Sequence, residues 1–208
     1  MSTGDLIWRT ETVNGTGPGT CSRKGNRFVV GSNNNTLICR SITDGTKLWE
    51  VSFPGHVKGR PEWIDNYVYA VCEWGRLKII NADTGEVIKT IRVGKSSHHQ
   101  FLTVVPEKEM IILTALEMIH AYSKDGKRLW VIRTRGYTET GGILVNNYFL
   151  TISRGGYISI IDINTGGKVA WDFIKDMNDI LALPAWNGEL LAINTLKRGL
   201  FVYRTDLL

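Results

Sequence analysis

Nine side chains could do chemistry together. Arg60, Arg76, Arg154, Arg198, Lys95 and His98 carry or can acquire positive charge, and Trp74, Tyr137 and Tyr157 offer aromatic faces. Cationic groups hold phosphate by charge and aromatic rings stack on bases, so this mixture suits a nucleotide, a nucleic acid or another phosphate-bearing partner. His98 adds charge only at mildly acid pH. If Glu62, Glu73 and Glu139 neutralise the cations internally, the same mixture reads as a solvated polar rim; a protein-interaction scaffold using the same face without phosphate chemistry is the alternative. A second set, Glu62, Glu139 and Asp179, supplies carboxylates that at about 5–10 Å could work on a glycosidic bond. A glycoside hydrolase-like enzyme is therefore a minor alternative, supported by fold analogy alone. His98 and His99 are adjacent in a strand-like segment, where successive side chains point to opposite faces, so they do not make a metal site. Gly15-Thr16-Gly17-Pro18-Gly19 lacks the lysine and helix of a phosphate-binding loop. No metal ligand, catalytic residue or cofactor site is assigned.

These residues sit on a repeating frame. A Thr-Gly or Asp-Gly pair recurs with its glycine at Gly4, Gly45, Gly85, Gly126 and Gly166, at intervals of 41, 40, 41 and 40 residues. A period near 40 carrying short apolar runs between Gly, Asn and Asp turns predicts the four-stranded blade of a β-propeller. In the clearest period, strand A near Arg60–Ile64 is followed by B over Tyr67–Cys72, C over Leu77–Ala82 and D over Val87–Val93. The approximate repeats are 14–52, 53–93, 94–134, 135–174 and 175–208. The last offers A at Ile180–Pro184, B at Glu189–Asn194 and C at Gly199–Arg204, but no D.

The tryptophans supply a phase mark. Trp8, Trp49 and Trp130 each follow their turn glycine by four residues, and Trp171 follows Gly166 by five. Residues 3–13 thus read as the missing strand D of the last blade. The expected fold is one all-β domain, a closed five-bladed propeller with four antiparallel strands per blade. A domain-swapped assembly is the competing expectation. Arg76, Arg154 and Arg198 take nearly equivalent places in three blades on this reading, which would gather them at one mouth.

Gly75–Gly85 and Gly156–Gly166, each ending Asn/Asp-x-x-Thr-Gly and followed by an apolar strand, resemble the quinoprotein-type (PQQ-like) propeller repeat, whose strand C and turn read roughly G-x-L-x-A-L-D-x-x-T-G-x-x-x-W. The resemblance covers the whole chain and implies the propeller fold. It implies no quinone site, because a five-period chain lacks room for the eight-bladed arrangement of the quinone dehydrogenases. Relatives with this repeat include non-enzymatic scaffolds such as outer-membrane assembly lipoproteins.

The 208 residues hold 25 Lys and Arg against 20 Asp and Glu, a net charge of +5 that mildly favours anionic partners. No stretch approaches the ~20 apolar residues of a membrane span, and no export signal is recognisable at the start. Cys21, Cys39 and Cys72, an odd number without metal spacing, suit a reducing compartment. The expectation is a cytoplasmic monomer, a non-enzymatic binding protein whose basic loop face recognises an anionic ligand, with a protein-interaction scaffold as the alternative.

Overall fold

The computed structural model describes residues 4–11, 15, 21–94, 100–138, 140–175, 180, 183–187, 189–195 and 198–204. The chain divides into two compact units, Met1–His98 and His99–Leu208. Strands and one short 3-10 turn, Pro106–Lys108, are its regular elements among these residues.

In the first unit, β1 (Cys21–Lys24), β2 (Arg27–Gly31), β3 (Thr36–Ser41) and β4 (Lys47–Ser52) form one antiparallel sheet in chain order. A second is formed by β5 (Glu62–Ile64), β6 (Tyr67–Cys72), β7 (Arg76–Asn81) and β8 (Val87–Arg92). Sequential hairpins build both, as expected where two to five turn residues separate apolar runs. Leu37, Cys39, Trp49, Val51, Phe53 and Val57 of the first sheet and its following loop join Val68, Ala70, Cys72 and Ile80 of the second in one buried cluster.

In the second unit, β9 (Gln100–Val105), β10 (Met110–Ser123) and β11 (Arg128–Thr138) form a three-stranded sheet in the order β11-β10-β9. β12 (Gly142–Val145), β13 (Tyr148–Ile152), β14 (Tyr157–Asp162) and β15 (Lys168–Phe173) form the next, and β16 (Ala185–Trp186), β17 (Leu190–Thr195) and β18 (Gly199–Arg204) the last. Alternation along β13 divides the core: Phe149 joins Ile112, Ile119 and Trp130, whereas Leu150 and Ile152 join Ile180, Leu191 and Ile193.

β10 contains both expected middle strands. It pairs with β9 through Met110–Ala115 and with β11 from Leu116 onward. Lys124 nevertheless donates its N–H to the carbonyl of Glu109 at 2.6 Å, so the intervening run doubles back. Leu116, at φ 55°, sits where the chain reverses.

The turn glycines adopt the conformation their position demands. Gly45, Gly85, Gly126 and Gly166 have φ between 72° and 76°, which side-chain-bearing residues seldom adopt. An Asx contact precedes them: Asn81 Oδ1 accepts the N–H groups of Asp83 and Thr84, and Asp162 Oδ1 those of Asn164 and Thr165.

Three tryptophans repeat one docking arrangement across sheets. The Nε1 of Trp49, on β4, donates to the carbonyl of Ala82 at 2.8 Å, and its ring lies against Gly85 of the second sheet's turn. Trp130, on β11, does the same to Ile163 at 2.8 Å and Gly166. Trp8 docks on the first sheet likewise, donating to Ile42 at 2.7 Å, packing on Gly45 and stacking on Phe28 at 5.6 Å. Residues 4–11 form no strand themselves.

Two expectations need correction. The fifth sheet's first strand is Ala185–Trp186 rather than Ile180–Pro184; Ile180 makes only an isolated bridge to Thr195, and Pro184 has no N–H to give a ladder. Trp171 does not share the phase of the other tryptophans. Trp49 and Trp130 face Cys39 and Ala121, and the residue at that place in the fourth sheet is Ala170, opposite Ile160. Being one residue further on, Trp171 points to the other face and is 63% exposed.

Candidate functional site

Lys95, His98, His99, Glu139 and Asp179 lie outside the described residues. Trp74, Arg76, Arg154, Tyr157 and Arg198 belong to the second-to-third-strand turns or flank them, Tyr137 lies on β11 beside Arg154, and Arg60 and Glu62 lie just before and at the start of β5, the first strand of the second sheet.

Those turns share a common register, and it separates the three arginines. Each contains three residues: Glu73-Trp74-Gly75 between Cys72 and Arg76, Arg154-Gly155-Gly156 between Ser153 and Tyr157, and residues 196–198 between Thr195 and Gly199. Arg154 thus occupies the place of Glu73, Arg198 that of Gly75, and Arg76 that of Tyr157. The expected near-equivalence of Arg76, Arg154 and Arg198 is therefore incorrect. Pairing confirms the register, since Arg76 lies opposite Arg92 and Tyr157 opposite Phe173.

In the first unit, Glu73 is the electrostatic centre. It is buried, with Lys58 Nζ against one carboxylate oxygen and His56 Nδ1 3.4 Å from the other. Its N–H donates to the His56 carbonyl at 3.0 Å, joining the turn to the loop before β5. Arg60 reaches Glu62 at 3.5 Å. Burial raises the Glu62 carboxyl above the usual carboxylate range, and the Arg60 charge offsets part of that rise. Trp74 rides over Gly55, where a Cβ would meet the indole at 2.6 Å, and it is 59% exposed. Arg76 donates to the Trp74 carbonyl at 3.2 Å. The arrangement is an exposed indole on a backbone seat, with Lys58 and Arg60 paired to carboxylates and Arg76 held by a carbonyl.

In the second unit, the end of β11 lies along the fourth sheet. The N–H of Arg154 donates to the Tyr137 carbonyl at 2.7 Å, and the Ser153 hydroxyl donates to the Arg135 carbonyl. Gly136 permits the approach, because a Cβ there would stand 2.6 Å from the Arg154 carbonyl oxygen. The result is a cleft of about 170 Å³ lined by Arg135, Tyr157, Ile158, Ser159, Lys168 and Trp171. The Arg135 guanidinium lies 5.0 Å from the centre of a Trp171 ring, and Tyr157 packs on Phe173 at 4.8 Å. Of the expected site residues only Tyr157 belongs to this cleft. Arg135, Lys168 and Trp171 were not selected from sequence, although the five-residue spacing from Gly166 to Trp171 was the visible signal.

Among the described residues, no three His, Cys, Asp or Glu side chains converge as metal ligands would. None of the described helices is long and apolar enough to cross a membrane.

Residues 1–204 match the profile of a PQQ-like repeat family described as outer membrane protein assembly factor BamB. The chain belongs to this family. The match of this BamB family takes in every Thr-Gly or Asp-Gly turn of the repeat. No curated protein matches the chain. Solved structures do: BamB from Moraxella catarrhalis, at 14% identity and a TM-score of 0.76, is matched over 91% of this chain and 61% of its own. The computationally designed Ika8 protein is 16% identical with a TM-score of 0.75, over 89% of this chain and 57% of that one. A europium-containing methanol dehydrogenase is 12% identical with a TM-score of 0.72, over 85% and 46%. The chain thus spans roughly half to three fifths of the length of these structures. At these identities the likeness is one of fold.

Proposed function

We propose that the chain is a non-enzymatic binding scaffold that docks a protein partner on the Trp74 surface of its first unit. The observation carrying this reading is the internal pairing of the surrounding charges. Glu73 takes up Lys58, with His56 beside it, and Glu62 takes up Arg60, so Lys58 and Arg60 are not a reserve of charge for an anion. What stands out to solvent is an indole fixed on Gly55, with Arg76 two residues on and bonded to its carbonyl. Exposed Trp and Arg on a rigid seat are the residue types that dominate binding energy at protein interfaces.

A second reading keeps anion recognition at the start of β7. Arg76 and Arg92 lie opposite each other in the β7–β8 ladder, and like charges so placed repel until an anion neutralises them. The two readings separate by salt. Retention of a defined partner on the immobilised chain should survive ~1 M salt, where the screening length is about 3 Å, and should be lost with Trp74→Ala. Release by salt or by inorganic phosphate, with Trp74→Ala still competent, would overturn the protein-docking reading in favour of the anion.

The same proposal takes the five sheets as five blades of a monomeric ring, the fifth completed by the N-terminal segment. The repeat spacing supports this, and so does Trp8, which docks on the first sheet as Trp49 and Trp130 dock on the sheets after theirs. A reducing, cytoplasmic setting would suit Cys21, Cys39 and Cys72, all free thiols.

A further inference from the structure

Trp171 is set apart from the docking scheme that Trp49 and Trp130 serve. Its phase sends it away from the fifth sheet and onto the face shared with Ser159, and 63% of it remains exposed. The cleft beneath it has a firm floor, since Ile158 and Ser159 are 4% and 5% exposed. One wall is the end of β11, fixed by the Ser153 and Arg154 hydrogen bonds and by the close approach at Gly136. The opposite strand bears Lys168 and Trp171. Two cations line the space and no carboxylate among the described residues does.

We propose that this cleft binds one nucleotide unit, with its base against the Trp171 ring and its phosphate held by Arg135 and Lys168. An indole offers a flat face that attracts any heterocyclic base whatever its sequence, and adjacent cations supply the phosphate attraction. Arg135 already stacks on the indole, which spreads positive charge over the surface a base would approach. An aliphatic anion would use the charges and leave the ring idle. A duplex would not enter, because its bases are stacked inside it. The cleft takes only part of one unpaired unit, whose base lies on the exposed Trp171 ring at its edge. That unit can be a free mononucleotide or one nucleotide of a single strand, and the chemistry of the site is common to both. The cleft lies in the second unit, so this inference does not rest on the Trp74 reading.

The test uses the full chain titrated with a nucleoside monophosphate and, separately, with a short unpaired oligonucleotide, followed by calorimetry. Both should bind. Trp171→Ala should weaken each about tenfold, since stacking is the sequence-tolerant part of such sites, and Lys168→Glu should weaken each at least as much. Trp171→Phe should keep most of the affinity, and Leu48→Ala, at an exposed position of the first unit, should change nothing. Circular dichroism of each variant should match the parent, because Trp171 and Lys168 are exposed. Equal affinity for both ligands identifies a free-nucleotide site. Tighter oligonucleotide binding, weakening with salt by a slope of about −0.7 per phosphate contact, identifies a single-strand site. The proposal is overturned if neither ligand binds, if Trp171→Ala leaves affinity unchanged, or if ribose 5-phosphate binds as tightly as the complete nucleotide.

Discussion

Trp130 and Trp171 lie on successive sheets and face opposite fates. Trp130 is 9% exposed, gives its Nε1 proton to Ile163 and covers Gly166; Trp171 is exposed and donates no hydrogen bond to the described residues. Truncating a buried tryptophan removes a large apolar surface and leaves a cavity, at about 3–5 kcal/mol. Trp49→Ala and Trp130→Ala should each lose about that much in urea unfolding. Trp171→Ala should stay within about 0.5 kcal/mol, as exposed substitutions do. Gly85→Ala should also destabilise, for two reasons: φ is 76°, and the new Cβ would sit 2.7 Å from the Trp49 ring. If Trp171→Ala cost as much as Trp130→Ala, the phase assignment of the fourth sheet would be wrong.

At the scale of the element, β10 shows how pattern and turn chemistry part company. The second-to-third-strand turns of the first, second and fourth sheets carry Asn35, Gly75 and Gly156 at positive φ, and their positions were readable. β10 reverses at Leu116-Glu117, a sequence without a turn residue, so its hairpin merges two strands that apolar periodicity alone can place only approximately. Strand β6 was legible to the residue because Asp65-Asn66 and Glu73-Trp74-Gly75 bracket an unbroken apolar run. The candidate site was less legible. Position in a turn decides which way an arginine points, and a shift of one to three residues separates Arg76, Arg154 and Arg198 without altering composition.

The same strand carries a pH-dependent liability. His120 is 7% exposed and neither ring nitrogen has a hydrogen-bond partner; burial first, and the Arg128 charge second, hold its pKa down to about 4. In the unfolded chain it titrates near 6.5. Above that value both states are neutral and pH has no leverage through this group. Between 6.5 and 4 the unfolded chain takes up a proton that the folded one refuses, so stability falls as pH falls, by on the order of 3 kcal/mol in total, and levels off below 4. Denaturant unfolding at a series of pH values should show that slope, and His120→Phe should remove it while raising stability at pH 7. A slope unchanged in His120→Phe would mean that carboxylates alone carry the acid sensitivity.

Over the whole molecule, the forty-residue period was the most legible feature, because each turn glycine is demanded by backbone conformation and each docking tryptophan by a neighbour's turn. The proposed closure of the ring is testable. β18 is the last strand of a three-stranded sheet, with Leu200 and Val202 68% and 56% exposed, and Leu6 and Ile7 are 78% and 79% exposed. An apolar edge strand left open is a template for pairing with another chain. The proposed closure assigns the N-terminal segment to β18 as its partner. Scattering and sedimentation should therefore give a monomer whose mass is independent of concentration. On that proposal, deleting residues 1–9 should leave β18 without its partner, free the Ile42 carbonyl that accepts from Trp8, and produce self-association and a lower melting temperature. A full chain that dimerises reversibly, with the deletion variant monomeric, would instead show that the N-terminal segment completes the sheet of a second copy.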